Sequence, residues 1–185
     1  MLLAQIVVFL IGSLLIIYVS RNALKVVASH GYYRFFAWEL ILLLFVINLS
    51  SWFRNPSRWY QIISWILLFA SLIPLFLGII TLRNGRRSDG IRSTETDLYD
   101  FERTSLLVTN GIYRYIRHPL YSSLLLLTWG IFFKVPGFIG FVIAVVTVFF
   151  LLKTAQADEN ECIRFFGEPY QEYMRHSKRF IPFLL

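Results

Sequence analysis

Cysteine is almost absent: Cys162 stands alone among 185 residues, which excludes an intramolecular disulfide framework. Charge is scarce as well, with Asp, Glu, Lys and Arg making up 16% of the chain against about 25% in ordinary soluble domains. Hydrophobic residues make up 57%, so the composition excludes disorder and argues against a water-soluble globule. The three histidines, His30, His118 and His176, lack the close spacing of a metal motif, and no metal site is predicted. No GxSxG, Walker loop, HExxH or GxGxxG occurs, so the signatures of common hydrolases, ATPases and dinucleotide-binding folds are missing. Internal repeats and low-complexity tracts are also lacking. Cys162 reads as a small packing residue.

What the chain has is long apolar runs. A hydrocarbon core about 30 Å thick needs roughly 20 helical residues. Runs over residues 2–19, 35–53 and 59–82 meet that requirement. Two shorter runs, 120–133 and 138–152, are separated by Lys134, Val135, Pro136 and Gly137, a turn by residue type. They predict either tilted helices that borrow flanking residues or a hairpin that thins the bilayer. The first run lacks a basic n-region and a small-residue cleavage site, and is read as a span. The expectation is an all-α polytopic membrane bundle of about five helices, a single domain over residues 1–185, with a loop at 83–116 and a tail at 153–185.

All basic residues except Arg54, Arg58 and Lys134 fall on one side of this topology. The positive-inside rule then puts the N-terminus outside and the loop and tail in the cytoplasm. A basic inner face beside anionic lipid accounts for the net charge of +7 without nucleic acid. The lipid bilayer is the expected partner, and the oligomeric state is left open. Residues 83–105 mix both charge signs with Gly85 and Gly90, a pattern that fits a lid or a disordered linker.

Two polar segments can carry chemistry. In the first, residues 111–121, Pro119 suits the first turn of a helix. Arg117 and His118 stand at the mouth of that helix, whose free N–H groups favour an anion, with Arg117 as a two-pronged donor. The bland alternative is an interfacial anchor of snorkelling Arg and belt Tyr. The second, residues 153–170, puts Asp158, Glu159 and Glu161 within one turn of the bilayer and ends at Gly167 and Pro169, a helix stop. Such a cluster needs a cationic partner, either a ligand or Arg164 on the same helix. Glu39 and Asn48 are the other polar residues at membrane depth, Glu39 reading as a snorkelling group, and Pro74 is expected to kink its helix.

GIYRYIRHPLY, two apolar helices, DENECIRFFGEPYQEYM and RFIPFLL, in this order, resemble the isoprenylcysteine carboxyl methyltransferase family, whose wider relatives include phospholipid N-methyltransferases. The resemblance covers residues 101–185. It implies an integral-membrane enzyme that transfers a methyl group from S-adenosylmethionine, with the cofactor at the cytosolic ends of the last helices. By position, Leu107, Val108 and Tyr113 fall in the loop that covers the cofactor, and His118, Pro119 and Tyr121 in the box that contacts it. Asp158 and Glu159 stand where the family has two Glu, one of which is expected to bind the cofactor's polar groups, with the choice between the two left open. The family's Arg for a substrate carboxylate is replaced here by Lys153 or Thr154, which counts against a prenylcysteine acceptor.

Methyl transfer from a sulfonium needs alignment and exclusion of water more than it needs a metal. Carboxylates and aromatic faces such as Tyr113 and Tyr121 suit a cationic cofactor. A carboxylate acceptor wants a cation such as Arg117; an amine or thiol wants a base, Glu159 or His118. Arg117 and Glu159 are therefore the expected catalytic residues, and the acceptor is a lipophilic carboxylate, amine or thiol. Two alternatives remain: an NADPH-dependent reductase of the steroid-reductase type, which shares an RHPxY box, and a non-catalytic membrane scaffold.

Overall fold

A computed structural model describes residues 2–85 and 106–181. Backbone amides in hydrocarbon have no water to bond, so an apolar run closes its hydrogen bonds within itself as helix. The described elements are α1 (Leu2–Ser20), α2 (His30–Asn48), α3 (Trp59–Gly85), α4 (Pro119–Phe132), α5 (Phe138–Phe166) and α6 (Glu168–His176), joined in part by short 3-10 turns. Among the described residues the only β-type pairing is an isolated parallel bridge between Ile116 and Lys178. Helices α1, α2, α3 and α5 are long and apolar enough to cross a membrane, and α4 is a shorter apolar helix. The chain is an integral membrane helix bundle.

The ends of the helices follow local chemistry. Ser29 caps α2, its Oγ accepting from the Tyr32 amide at 3.1 Å, so this helix starts five residues before the apolar run. Helix α3 passes through Pro74 without a break in its assignment. Helix α5 continues past residue 152 because nothing in Lys153–Phe166 stops it; Gly167, at φ +68°, does. The proposed lid at 83–105 lies largely outside the described residues.

Helix α3 packs against α4, and α2 against α5. At Gly130 an added Cβ would lie 2.9 Å from the Leu68 side chain and 3.1 Å from its backbone nitrogen. Ser64 Oγ donates to the Gly130 carbonyl at 2.7 Å, the close contact of small and polar residues that joins helices in lipid. Gly130→Ala is therefore expected to wedge α3 from α4 and cost about 1–3 kcal/mol, read as a lower unfolding temperature in detergent.

Ile41, Leu44, Ile131, Phe132 and Ala144 form the central core. Phe132 also reaches Gly140, so α4 ends level with the first two turns of α5, and residues 133–137 connect the two helices. Lys134 in this turn is almost fully buried, its Nζ 3.6 Å from the Trp65 ring centre and bonded to Gln61 Oε1 at 3.2 Å. The polar residues at depth are structural ties: Asn48 Nδ2 donates to the Leu44 and Ile131 carbonyls. Glu39 accepts from Ser13 Oγ at 3.1 Å and so joins α1 to α2, in place of the expected snorkelling. The apolar part of α5 ends near residue 152, and the turns that follow carry the acids to the end of the bundle shared with Ser29 and His118.

Candidate functional site

Pro119 occupies the first turn of α4, with His118 as its N-cap. The chain just before it pairs with the tail that follows α6: Arg117 N–H donates to the Lys178 carbonyl at 2.7 Å, His118 N–H to Arg179 at 3.1 Å, and Lys178 N–H to Tyr115 at 3.0 Å. Ser122 Oγ donates to the Phe180 carbonyl at 2.8 Å, and the Phe180 ring packs with Tyr121 and Ala155. The Arg-Phe-Ile segment is thus a clamp across the mouth of α4, which brings Arg179 alongside α5.

Glu159 lies under this clamp with its side chain 4% exposed. Arg117 Nε donates to its Oε1 at 3.0 Å and Arg179 Nε at 3.1 Å, while Arg179 Nη2 donates to Oε2. His118 Nε2 is 3.3 Å from Oε1. Arg117 is further held by Nη1 donating to the Met174 and Ser177 carbonyls. The guanidinium expected to receive a substrate anion is instead engaged by the chain's own carboxylate and the end of α6. Burial alone would raise the Glu159 carboxyl, but the bonds and charges of His118 and Arg179 pull it from 4.5 to about 2. Glu159 is thus a hub on which Arg117, Arg179 and His118 converge.

His118 shows the reciprocal balance. Burial disfavours its charged form, yet Asp158 and Glu159 raise it above the ordinary 6.5. Glu159 stabilises the cluster fully above pH 4.5, an effect lost as pH falls toward about 2. The contribution of His118 is full below pH 6.5 and fades as pH rises through its raised value. The clamp is expected to be tightest between about pH 4.5 and 6.5, with an unfolding temperature that declines both in acid and in alkali.

Asp158 faces the other way. Its Oδ2 accepts from Tyr121 Oη at 3.2 Å and lies 3.4 Å from His118 Nδ1, while Oδ1 is 3.7 Å from Cys162 Sγ. The Tyr121 ring stacks on His118 with centres 5.3 Å apart. Asp158 borders a cleft whose empty space, open solvent at its mouth included, is about 700 Å³. Its walls come from α4 (His118, Pro119, Leu120, Tyr121), α5 (Asp158, Cys162, Phe166), α6 (Tyr170, Tyr173), the end of α3 (Leu82) and the start of α2 (His30). Leu107, Val108 and Tyr113 close it from the connecting segment, where the Tyr113 carbonyl accepts from Tyr173 Oη at 2.6 Å. Burial pushes the Tyr170 and Tyr173 phenols up, so both stay neutral.

Leu107, Val108, Tyr113, Arg117, His118, Pro119, Tyr121 and Asp158 thus meet at one cleft, while Glu159 supports it from behind. His30, Tyr170 and Tyr173 are wall residues that the sequence reasoning did not select. The aromatic spacing of FGEPYQEY hinted at the two tyrosines. Nothing local pointed to His30, whose partner Glu161 is 131 positions away. Glu161 turns to His30 rather than to Arg164 on its own helix. The side-chain set is one carboxylate, Asp158, among four tyrosines, His30, His118 and Arg117, and a carboxylate among aromatic rings can hold a cationic group.

Residues 66–168, more than half of the chain, match the model of a family described as phospholipid methyltransferase. A methanethiol S-methyltransferase from Crocosphaera subtropica is 31% identical over 96 residues, which is 51% of this chain and 37% of that protein. The matched stretch therefore spans little more than a third of the relative. No solved structure matches the chain.

Proposed function

This chain belongs to the phospholipid methyltransferase family, and from that premise we propose that it transfers a methyl group from S-adenosylmethionine to a lipophilic acceptor, a thiol being the class that suits the cleft best. The observation that carries this reading is Asp158, held by Tyr121 and His118 at the edge of an aromatic cleft to which α2, α3, α4, α5 and α6 all contribute.

When bound, S-adenosylmethionine supplies an electrophilic methyl group on a positively charged sulfur. Asp158 would hold its polar groups, and Tyr113, Tyr121 and Tyr170 offer ring faces to the cation. Tyr121 and His118 fix the Asp158 carboxylate, so it need not reorganise on binding. Glu159, Arg117 and Arg179 keep the clamp shut and are positioning residues. Leu82, Leu107, Val108 and Leu120 exclude water, which strengthens every charge interaction inside.

A carboxylate acceptor would need a cation at the cleft, but Arg117 is engaged by Glu159. Thr154 bonds the Phe150 carbonyl, and Lys153 lies over the Phe149 ring. The thiol named for the cyanobacterial relative supports a sulfur acceptor. The family description favours a second reading, a phospholipid amine. With the N-terminus outside, the cleft opens at the cytoplasmic face and accepts lipophilic molecules from the bilayer. The test is to incubate membranes holding the protein with methyl-labelled S-adenosylmethionine. Label in thioethers is expected; label in phospholipid would favour the second reading. If no product is labelled and NADPH alone raises thermal stability, the reductase alternative replaces the proposal.

A further inference from the structure

His30 opens α2 at the wall of the cleft and is 1% exposed. Glu161 holds it twice: Oε1 accepts from the His30 backbone N–H at 2.9 Å, and Oε2 from the ring Nδ1 at 2.5 Å. A carboxylate cannot donate, so the proton of this bond belongs to Nδ1, and the tautomer is set. The other ring nitrogen, Nε2, is buried and, among the described residues, is the only buried side-chain polar atom without a hydrogen-bond partner. Leaving such an atom unpaired costs about 1–3 kcal/mol, so Nε2 has the capacity for a partner beyond the described residues.

We propose that His30 Nε2 is the general base that removes the proton of the acceptor thiol, with Glu161 as its positioning residue. The inference rests on the methyltransferase reading above and adds the base that reading lacks. His118 is unsuited to the task because both its ring nitrogens face Asp158 and Glu159. The groups around His30 are Glu161 and Asp158 from α5 and Arg34 from its own helix. A cation bound among His30, Asp158 and Glu161, whose ligand atoms lie within 4.8 Å of one another, would have to displace the donors already on these carboxylates.

In the step itself the S–H bond of the acceptor breaks and its proton goes to Nε2. The sulfur's electron pair forms the new S–CH3 bond. The pair of the broken bond between methyl and sulfonium stays on the donor's sulfur and neutralises it. Glu161 stabilises the imidazolium so formed, which afterwards releases its proton to water at the mouth of the cleft.

The experiment compares wild type with His30→Gln and Glu161→Gln in detergent micelles. S-adenosylmethionine affinity is measured by titration, and methyl transfer is followed to butanethiol and to 4-nitrothiophenol, which is already ionised at neutral pH. His30→Gln is expected to bind the cofactor within a few-fold of wild type, to lose about 100-fold or more in kcat/KM on butanethiol, and to change little on 4-nitrothiophenol. Glu161→Gln falls between. Independently of turnover, 15N-histidine NMR should show one neutral ring with Nδ1 protonated and Nε2 bare, a signal missing from His30→Gln. Equal losses on both thiols, full activity of His30→Gln on butanethiol, or a His30 ring protonated on Nε2 in the neutral form would each overturn the assignment. Absence of cofactor binding by wild type would instead defeat the methyltransferase reading.

Discussion

Glu159→Ala is expected to abolish S-adenosylmethionine binding, with affinity down more than 100-fold, and to destabilise the protein by about 3–5 kcal/mol, the usual result of removing one member of a buried ion cluster. Three donors, Arg117, Arg179 and His118, converge on this single carboxylate. Its loss leaves positive charge uncompensated beneath the tail clamp. The clamp carries Phe180, which packs on Tyr121, so a change one layer behind the cleft should loosen its wall. Thermal unfolding and ligand titration of the same preparation check both effects. Glu159→Asp, which keeps the charge on a shorter arm, should recover part of each.

Asp158→Ala should have a different signature. This residue borders the cleft itself, with its side chain 21% exposed, and its partners Tyr121 and His118 keep other contacts when it is removed. Deleting a charged hydrogen-bonding group is worth about 1.5–3 kcal/mol, equivalent to roughly a 10- to 150-fold rise in Kd for the cofactor. The unfolding temperature should move far less than in Glu159→Ala. Asp158→Asn, retaining shape without charge, should fall between wild type and Asp158→Ala. The contrast between the two acids separates a group that holds ligand from one that holds the site.

Much of this arrangement was legible in the residue order. Long apolar runs dictated helices, Pro119 and Gly167 marked a start and a stop, and the RHPxY box and the paired acids came from the family resemblance. What the sequence hid is contact between distant positions. Nothing near Ile116 announces its bridge to Lys178, and nothing near Glu159 announces Arg179, because the tail reaches them only after α6 turns the chain back. Arg117 was read as a substrate donor because a guanidinium beside a helix start suits any anion; its bond to Glu159, 42 positions away, was not legible there. His30 was passed over as an isolated histidine, since its partner Glu161 lies on α5, three helices later in the chain. Lys134, counted as an ordinary loop charge, is buried against Trp65 and bonded to Gln61, both on α3, contacts that residue order alone does not announce.

The central claim is that the start of α4 and the acidic turns of α5 together enclose a cationic methyl donor. Calorimetric titration of the purified protein in lipid nanodiscs with S-adenosylmethionine tests it most directly. Saturable binding is expected, tighter than that of S-adenosylhomocysteine, whose sulfur carries no charge. Failure to bind either compound, in a preparation whose unfolding is cooperative, would contradict the account.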